Sequence, residues 1–374
     1  MSHLLVTNDF PPKVGGIQSY LWELWRRLPP DQVTVLTTSH PDAAAFDASQ
    51  SFRVERAGPV LLPTPGLARR VRALAYEAGA RLVVLDPALP VGLIGPHLGL
   101  PYAVVLHGAE VTVPGRLPGT RAALARVLGR AVHVVAAGGY PAAEARRAAG
   151  GTTPPVTVVP PGVDGDRFRP LSDDERAKAR ADFGLPEGGD LVVSVGRLVP
   201  RKGMDVLIRA AALLGPGRPD LVVAVAGQGR DLARLRRLCI DTEVPVRFLG
   251  RVPDDRLPSL YGCADVFAAP CRSRWSGMEQ EGFGIVFLEA AACGVAQVAG
   301  DSGGAAEAVV DGETGLVVRR PSDPAAVAVA IAGLLDDPLR REAMGEAARR
   351  RAVEKFSYDR LAATLAATLA GLER

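Results

Sequence analysis

The sequence has little cysteine, little net charge and no long apolar run, and each shortage argues against a class of protein. Its 374 residues include four cysteines without a Cys-x-x-Cys pair, so neither a disulfide framework nor a cysteine zinc site is expected. A formal net charge of +3 is too small to indicate a nucleic-acid partner. No apolar run is long enough for a transmembrane helix, and MSHLLVTNDF lacks the regions of a signal peptide. We therefore expect a cytoplasmic protein in a reducing compartment.

Strand-like and helix-like segments alternate along the chain, and the pattern begins twice. Apolar runs such as HLLVT, RLVVLD and YAVVL lie between amphipathic stretches, and the alternation restarts at LVVSVGRLVPRKG, after VVPPGVDGDRF. Such alternation predicts parallel sheets with helices on both faces. The fold class is therefore α/β, with two Rossmann-like, doubly wound domains. We expect an N-terminal acceptor-binding domain over 1–165, a nucleotide-sugar-binding domain over 166–350 and a helix over 351–374 that crosses back to the first.

The stretch EGFGIVFLE, from Glu281 to Glu289, has a carboxylate at each end of a glycine-containing apolar segment. The free N–H groups at the start of a helix there form a seat for phosphate. If the segment is largely helical, its two acids lie roughly 12 Å apart, which is too far for the carboxylate pair of a glycosidase. They would then contact different parts of one long ligand, such as a sugar–diphosphate–nucleoside. The alternative is a glycine turn before a core helix with two solvated or paired acids.

Other candidate residues follow predicted strands, where doubly wound sheets bind their ligands. Arg197 and Lys202 lie in GRLVPRKG and suit a diphosphate. Gly15 and Gly16 precede a predicted helix, and His107 ends the YAVVLH strand. A simple turn remains the alternative for the glycines, and a structural role remains the alternative for the histidine.

The GRVPDDRL loop follows a further strand and is a candidate for base recognition. Backbone groups of Val252 would contact the base, and the carboxylate of Asp254 or Asp255 would accept both N–H groups of a guanine edge. That choice would favour GDP over UDP. The alternative, which the residue types favour, is that these acids cap the next helix.

Basic residues on three predicted helices could contact anionic lipid, although solvated surface arginines are the commoner explanation. The three sets are Arg69, Arg70 and Arg72; Trp22, Trp25, Arg26 and Arg27; and Arg116, Arg121, Arg126 and Arg130. Asp164 and Asp166 form an Asp-x-Asp pair, but a turn beside the linker explains it better than a metal site.

Taken in order, these segments resemble the retaining glycosyltransferases of family 4. The resemblance covers nearly the whole chain and rests on TNDFPPKVGGIQSY, HGAE, PPGVDGDRF, GRLVPRKG, FLGRVPDDRL and EGFGIVFLEA. It implies the GT-B fold, in which two Rossmann-like domains face each other across a cleft. TNDFPP, GGIQSY and SGGAAEAV look most like the phosphatidyl-myo-inositol mannosyltransferases of the second-mannose type. The segment RSRWSGMEQ, from 272 to 280, is a bulky departure that bears on sugar or acceptor selection.

The resemblance also implies a role for each matching residue. The donor-binding set comprises Gly15, Gly16, Arg197, Lys202, Val252, Asp254, Glu281, Phe283, Gly284, Ile285 and Glu289. Within it, Arg197 and Lys202 bind the diphosphate, Glu281 the transferred sugar and Glu289 the ribose. His107 approaches the 6-hydroxyl side of the sugar, and it is counted with Glu281, Arg197 and Lys202 as catalytic. Asp9 and Gln18 lie toward the acceptor.

The implied reaction is transfer of a hexose with retention at the anomeric carbon, with mannose from GDP-mannose as the expected donor. The expected acceptor is a hydroxyl of a lipid-linked inositol, which would place the enzyme at the inner face of the membrane. No metal or other cofactor is required, because the protein supplies the cations. Three alternatives stay open: a UDP-sugar transferase acting on a soluble inositol phosphate or natural product, a nucleotide-sugar epimerase, and a non-catalytic nucleotide-sugar-binding protein.

Overall fold

The computed structural model describes residues 1–150 and 153–372, and the chain divides into two compact units. One unit comprises Met1–Pro161 together with the last helix, and the other comprises Gly162–Ser357. The expected boundaries were 165/166 and 350/351.

The first unit is built on a seven-stranded parallel sheet. Its strands are β1 (His3–Thr7), β2 (Val33–Thr37), β3 (Arg53–Arg56), β4 (Leu82–Asp86), β5 (Tyr102–Leu106), β6 (His133–Ala136) and β7 (Val156–Val158). They run in the order β3-β2-β1-β4-β5-β6-β7. Its first helices are α1 (Gly16–Trp25), α2 (Ala43–Ala48), α3 (Pro65–Glu77), α4 (Ala109–Arg116), α5 (Pro118–Leu128) and α6 (Gly139–Ala149). The order reverses at β1 and β4, the switch point at which such sheets bind ligands.

The second unit is built on a six-stranded parallel sheet. Its strands are β8 (Leu191–Val195), β9 (Val222–Ala226), β10 (Val246–Gly250), β11 (Val266–Ala269), β12 (Ala296–Gly300) and β13 (Leu316–Val318), in the order β10-β9-β8-β11-β12-β13. Its helices are α7 (Asp173–Asp182), α8 (Met204–Leu214), α9 (Leu232–Thr242), α10 (Leu257–Gly262), α11 (Ile285–Ala292), α12 (Ala305–Ala308), α13 (Pro324–Leu335) and α14 (Pro338–Phe356). Two doubly wound parallel sheets confirm the predicted fold class.

Each sheet is buried on both faces, which explains the continuous apolar runs of its strands. In β1, Leu4 and Val6 join the core on one face, whereas Leu5 joins the core on the other. Successive side chains of a strand point to opposite faces. Thr7 and Asp86 are the last residues of β1 and β4, and several of the candidate site residues lie beyond the carboxyl ends of such strands.

The chain returns to the first unit in its last helix, α15 (Tyr358–Gly371). Leu361, Leu365 and Leu369 recur at intervals of four residues and join the same buried cluster as Leu21 and Leu24 of α1. This spacing gives one apolar helix face. The face of α15 therefore completes one side of the first core.

Candidate active site

A buried carboxylate at the end of β4 organises the switch point of the first sheet. Asp86 has no solvent exposure. Its Oδ2 accepts a 2.6 Å hydrogen bond from Thr7 Oγ1, and its Oδ1 lies 2.6 Å from His107 Nε2. Burial by itself lowers the pKa of His107, but the charge and hydrogen bond of Asp86 outweigh it and raise that pKa above its usual value. The pair therefore favours a protonated imidazole with a fixed ring.

Two further predicted residues lie beyond the neighbouring strand β1, Asp9 in the loop that follows it and Gln18 on α1. Gln18 Nε2 donates a 2.6 Å hydrogen bond to Asp9 Oδ1, and the Asp9 N–H donates to Thr7 Oγ1 over 2.8 Å. Burial and the charge of Asp86 raise the pKa of Asp9. Asp9, Gln18 and His107 thus all lie at the carboxyl ends of the strands of the first sheet. Asp86 was not among the residues predicted from the sequence, although it ends the strand-like run RLVVLD.

The two glycines predicted at the start of α1 do lie there. Gly15 precedes the helix and Gly16 is its first residue. A Cβ atom on Gly15 would lie 2.3 Å from Gln18 Oε1. The absence of a side chain at Gly15 therefore gives the Gln18 amide room to reach Asp9.

In the second unit, two cations converge on the carboxylate of Glu281. Lys202 Nζ and an Arg201 guanidinium nitrogen each lie 2.8 Å from Glu281 Oε2. Lys202 and Glu281 are both 7% exposed. Burial by itself raises the pKa of Glu281, but Lys202 and then Arg201 outweigh it and lower the pKa to about 2. The site thus holds a fixed carboxylate with an excess of one positive charge.

A glycine at the start of α8 determines where Lys202 can lie. Gly203 has a left-handed φ of 71°, and a Cβ atom on it would lie 2.0 Å from the carbonyl oxygen of Pro270. Only glycine allows both the turn and this close approach. The Lys-Gly dipeptide of GRLVPRKG therefore fixes the lysine at the strand ends.

Helix α11 consists of the apolar run IVFLEAAA, which directly follows the glycine-containing segment. Its first residue is Ile285, it is preceded by Gly284 at a φ of 88°, and no side chain caps it. The N–H of Gly304 donates to the carbonyl of Glu281 over 3.0 Å, and the N–H of Glu281 donates to Ser302 Oγ over 3.3 Å. The SGG loop thus supports Glu281, a role that the sequence analysis missed.

The second acid of the central stretch has a different environment. Glu289 Oε2 accepts a 2.6 Å hydrogen bond from the hydroxyl of Tyr261. Burial raises the pKa of Glu289 to about 7, although this hydrogen bond opposes the shift. Glu281 and Glu289 therefore differ in charge state near neutral pH, as acids with separate roles would.

A cavity of about 190 Å³ lies at the ends of β8, β9 and β10. Its lining includes three predicted residues, Arg197, Val252 and Asp254. Arg197 is exposed, and within the described part of the chain no ion pair or side-chain hydrogen bond engages it. Arg256 precedes α10, and no side chain caps that helix. The expectation that Asp254 or Asp255 caps it is therefore wrong.

The Asp-x-Asp pair forms a turn. Asp164 Oδ1 accepts hydrogen bonds of 3.1 Å and 3.0 Å from the N–H groups of Asp166 and Arg167. This local pattern is typical of aspartate at chain reversals. The described residues contain no group of three or more His, Cys, Asp or Glu that could hold a metal ion.

Two family models match the chain in tandem. The family described as Glycosyltransferase Family 4 matches residues 14–167, and the family described as Glycosyl transferases group 1 matches residues 175–351. The two matches correspond to the two compact units.

Relatives and solved structures match almost end to end. A GDP-mannose-dependent alpha-(1-6)-phosphatidylinositol monomannoside mannosyltransferase of Mycolicibacterium smegmatis is 42% identical over 98% of both chains. The corresponding enzyme for the monoacylated substrate in Corynebacterium glutamicum is 37% identical over 95% of this chain and 94% of its own. Among solved structures, Anabaena HepE, crystallised with UDP and glucose, covers 99% of both chains with a TM-score of 0.83 and 23% identity.

Proposed function

Since the chain belongs to the group 1 and family 4 glycosyltransferases, and is a GT-B enzyme, we propose that it transfers mannose from GDP-mannose to a phosphatidylinositol monomannoside. The transfer retains the anomeric configuration. One observation carries the proposal: a chain with 42% identity over its length to a mannosyltransferase of this kind holds Lys202, Arg201 and Glu281 in one buried cluster.

The donor lies along the strand ends of the second unit in this proposal. The guanine enters the cavity beside Val252 and Asp254, and Glu289 accepts hydrogen bonds from the ribose hydroxyls. Arg197 and Lys202 contact the diphosphate, and Glu281 orients the mannose. The Arg197 side chain is exposed, and it forms no ion pair with any residue that the structure describes, so it is available to a phosphate.

The backbone supplies the remaining donor contacts. Phe283, Gly284 and Ile285 direct N–H groups toward the diphosphate at the start of α11, where the helix dipole favours an anion. The left-handed Gly284 that precedes the helix keeps a side chain from covering these groups.

The chemistry is stabilisation of the charge that develops on the leaving diphosphate. Lys202 and Arg197 are cations placed before the reaction begins, and a preorganised charge is worth more than one that must reorganise. The leaving phosphate takes the proton of the incoming hydroxyl on the same face of the sugar. The raised pKa of His107 favours the protonated ring, which can donate a hydrogen bond to a hydroxyl. The protein's own cations suffice, so no metal takes part.

The acceptor headgroup lies at Asp9 and Gln18 in this proposal. Farther along the first unit, a cavity of about 860 Å³ opens between the first turns of α3, the 3₁₀ segment Val91–His97 and α5. Arg69, Arg72 and Arg126 border it, and Leu93, Ile94 and Ala68 give it an apolar wall. Cations beside an apolar wall complement an anionic phospholipid, with its phosphate on the arginines and an acyl chain against the wall.

Peripheral binding to the cytoplasmic face of an anionic membrane completes the proposal. None of the helices in the described ranges is both long enough and apolar enough to cross a bilayer. Vesicles with and without phosphatidylserine test it: the protein should cosediment with the anionic vesicles. Equal binding to neutral vesicles would contradict a role for the arginines.

A product assay tests the transfer itself. GDP-mannose with phosphatidylinositol monomannoside should give a product one hexose heavier by mass spectrometry, and NMR should show an α-linkage. UDP-glucose and free inositol phosphate serve as the alternative donor and acceptor. Transfer only from the UDP-sugar, or only to the soluble acceptor, would overturn the proposal. Release of an epimerised nucleotide sugar, or no turnover with any pair, would favour the two remaining alternatives.

A further inference from the structure

A short hairpin just before Glu281 carries an exposed tryptophan in an unfavourable backbone conformation. Trp275 and Ser276 have φ values of 50° and 52°, a region that residues other than glycine, asparagine and aspartate rarely adopt. Trp275 is nonetheless 58% exposed, so burial of its side chain offsets only part of the energetic cost of this backbone conformation. Strained residues of this kind concentrate at ligand-binding sites.

The hairpin is braced so that the tryptophan has a defined position. The backbone N–H of Arg274 donates to Glu279 O over 2.9 Å, and the N–H of Glu279 donates back to Arg274 O over 3.2 Å. Their side chains form a 2.8 Å ion pair. The Arg274 guanidinium lies 4.8 Å from the centroid of the Trp275 ring, a cation–π distance. The Arg274 guanidinium therefore covers one face of the Trp275 ring, and much of the remaining ring surface is open to solvent.

The base of the hairpin is joined to the residue that we assign to the donor sugar. Ser273 Oγ and Ser302 Oγ are 3.4 Å apart, and Ser302 Oγ also accepts the N–H of Glu281. On the other side, the N–H of Arg272 donates to the carbonyl of Arg201 over 2.8 Å. The base of the hairpin is thus tied to the backbone of Glu281 and of Arg201.

We propose that Trp275 is an acceptor-binding residue whose ring stacks on the C–H face of a polyol ring of the acceptor, either inositol or its mannosyl substituent. This inference rests on the proposed function. Transfer requires the acceptor hydroxyl about 3–3.5 Å from the anomeric carbon, so the acceptor ring lies beside the sugar that Glu281 orients. A rigid indole offers a large flat surface to such a ring at little cost in side-chain entropy.

Two substitutions separate this role from a structural one. Trp275→Gly removes the platform and relieves the left-handed strain, so the unfolding midpoint should rise by about 1–3 °C. The acceptor KM should rise about tenfold, the loss expected for one stacked contact, while the donor KM stays unchanged. Trp275→Phe should restore most of the acceptor affinity. Ile240→Ala on α9, another exposed apolar side chain at 76% exposure, is the matched control and should leave both constants unchanged.

An unchanged acceptor KM in Trp275→Gly, or a lower unfolding midpoint together with a changed donor KM, would overturn the inference. A deacylated, water-soluble inositol mannoside tests the competing role in membrane contact. If Trp275→Gly raises KM for this acceptor too, stacking on the ring is supported. If only vesicle binding changes, the inference fails. A wild-type enzyme that transfers mannose to no inositol mannoside would instead refute the proposed function, and the inference with it.

Discussion

Substitution of Lys202 by methionine should separate catalysis from folding, because the structure gives Glu281 a second cation. Methionine keeps much of the length and apolar stem of lysine but removes its charge. Arg201 remains 2.8 Å from the Glu281 carboxylate, so that buried acid keeps a partner. We therefore expect a folded variant with a moderate loss of stability and a large loss of turnover.

The stability loss follows from the pKa of Glu281. A pKa of about 2 in place of the ordinary 4.5 corresponds to roughly 3 kcal/mol in favour of the ionised carboxylate. Lys202 supplies the larger part of the lowering and burial opposes it, so the variant should lose at least about 2 kcal/mol of unfolding free energy. Because folding lowers this pKa, the contribution of Glu281 is fully present above pH 4.5 and is lost as pH falls toward 2. The difference between the two proteins should shrink over the same interval.

The loss of turnover comes from a different interaction. If Lys202 stabilises the leaving diphosphate, its removal should lower kcat by about 10²-fold, as for one preorganised charge donor. Lys202→Arg should recover part of the rate. Urea unfolding and kcat at saturating donor and acceptor are the two measurements, and Lys178→Met, at an exposed position of α7, is the control. A near-normal kcat in Lys202→Met, with the expected stability loss, would show that the lysine only balances Glu281.

Three further substitutions test separate parts of the account. Glu289→Gln should weaken GDP binding about tenfold at pH 8, which is the loss expected for one charge-assisted hydrogen bond. The effect should be smaller at pH 6, because the wild-type carboxyl has a pKa of about 7. Calorimetric titration at both pH values measures this, and an equal effect at each would exclude an ionised Glu289 on the ribose. His107→Asn should lower the unfolding midpoint more at pH 6 than at pH 9, since the raised pKa of His107 makes its pair with Asp86 stabilising at low pH and weaker as pH rises through that pKa; a constant difference in midpoint would contradict a charged pair. Gly203→Ala should lose at least about 2 kcal/mol in urea unfolding, from left-handed strain and the contact with Pro270, and a wild-type midpoint would refute that contact.

The fold could be predicted because its local signals agree with its architecture. Strands buried on both faces are continuously apolar, and β1, β4, β5 and β8 lie within the runs identified from the sequence. The segment Val91–His97 forms a 3₁₀ helix rather than an α-helix. It contains Pro96 and two glycines, which disfavour an α-helix.

The candidate residues could be located, but their partners could not. Position after a strand was enough to select His107 and Lys202, whereas Asp9 was implied by the family resemblance. The contacts of Asp86 with His107 and of Lys202 with Glu281 join residues 21 and 79 positions apart in the chain, and no local pattern specifies such pairs. Ser302 and Tyr261 were not predicted for the same reason, since each forms a hydrogen bond with a glutamate that is distant in the sequence.

Two features disagreed with local expectations. An acid just before a predicted helix commonly caps it, yet Asp254 lies in a 3₁₀ turn and leaves α10 without a side-chain cap. Trp275 adopts a left-handed backbone conformation, and tryptophan has no preference for that conformation from which it could be predicted. Both residues lie on loops at the proposed donor and acceptor sites, where ligand contacts rather than helix or turn preferences would determine the geometry.

A crystal structure with GDP-mannose tests the central claim most directly. The account predicts that Lys202 Nζ and the Arg197 guanidinium lie within hydrogen-bonding distance of the diphosphate, with the mannose on Glu281 and the ribose on Glu289. Nucleotide density away from these strand ends, or a diphosphate out of reach of both cations, would contradict it.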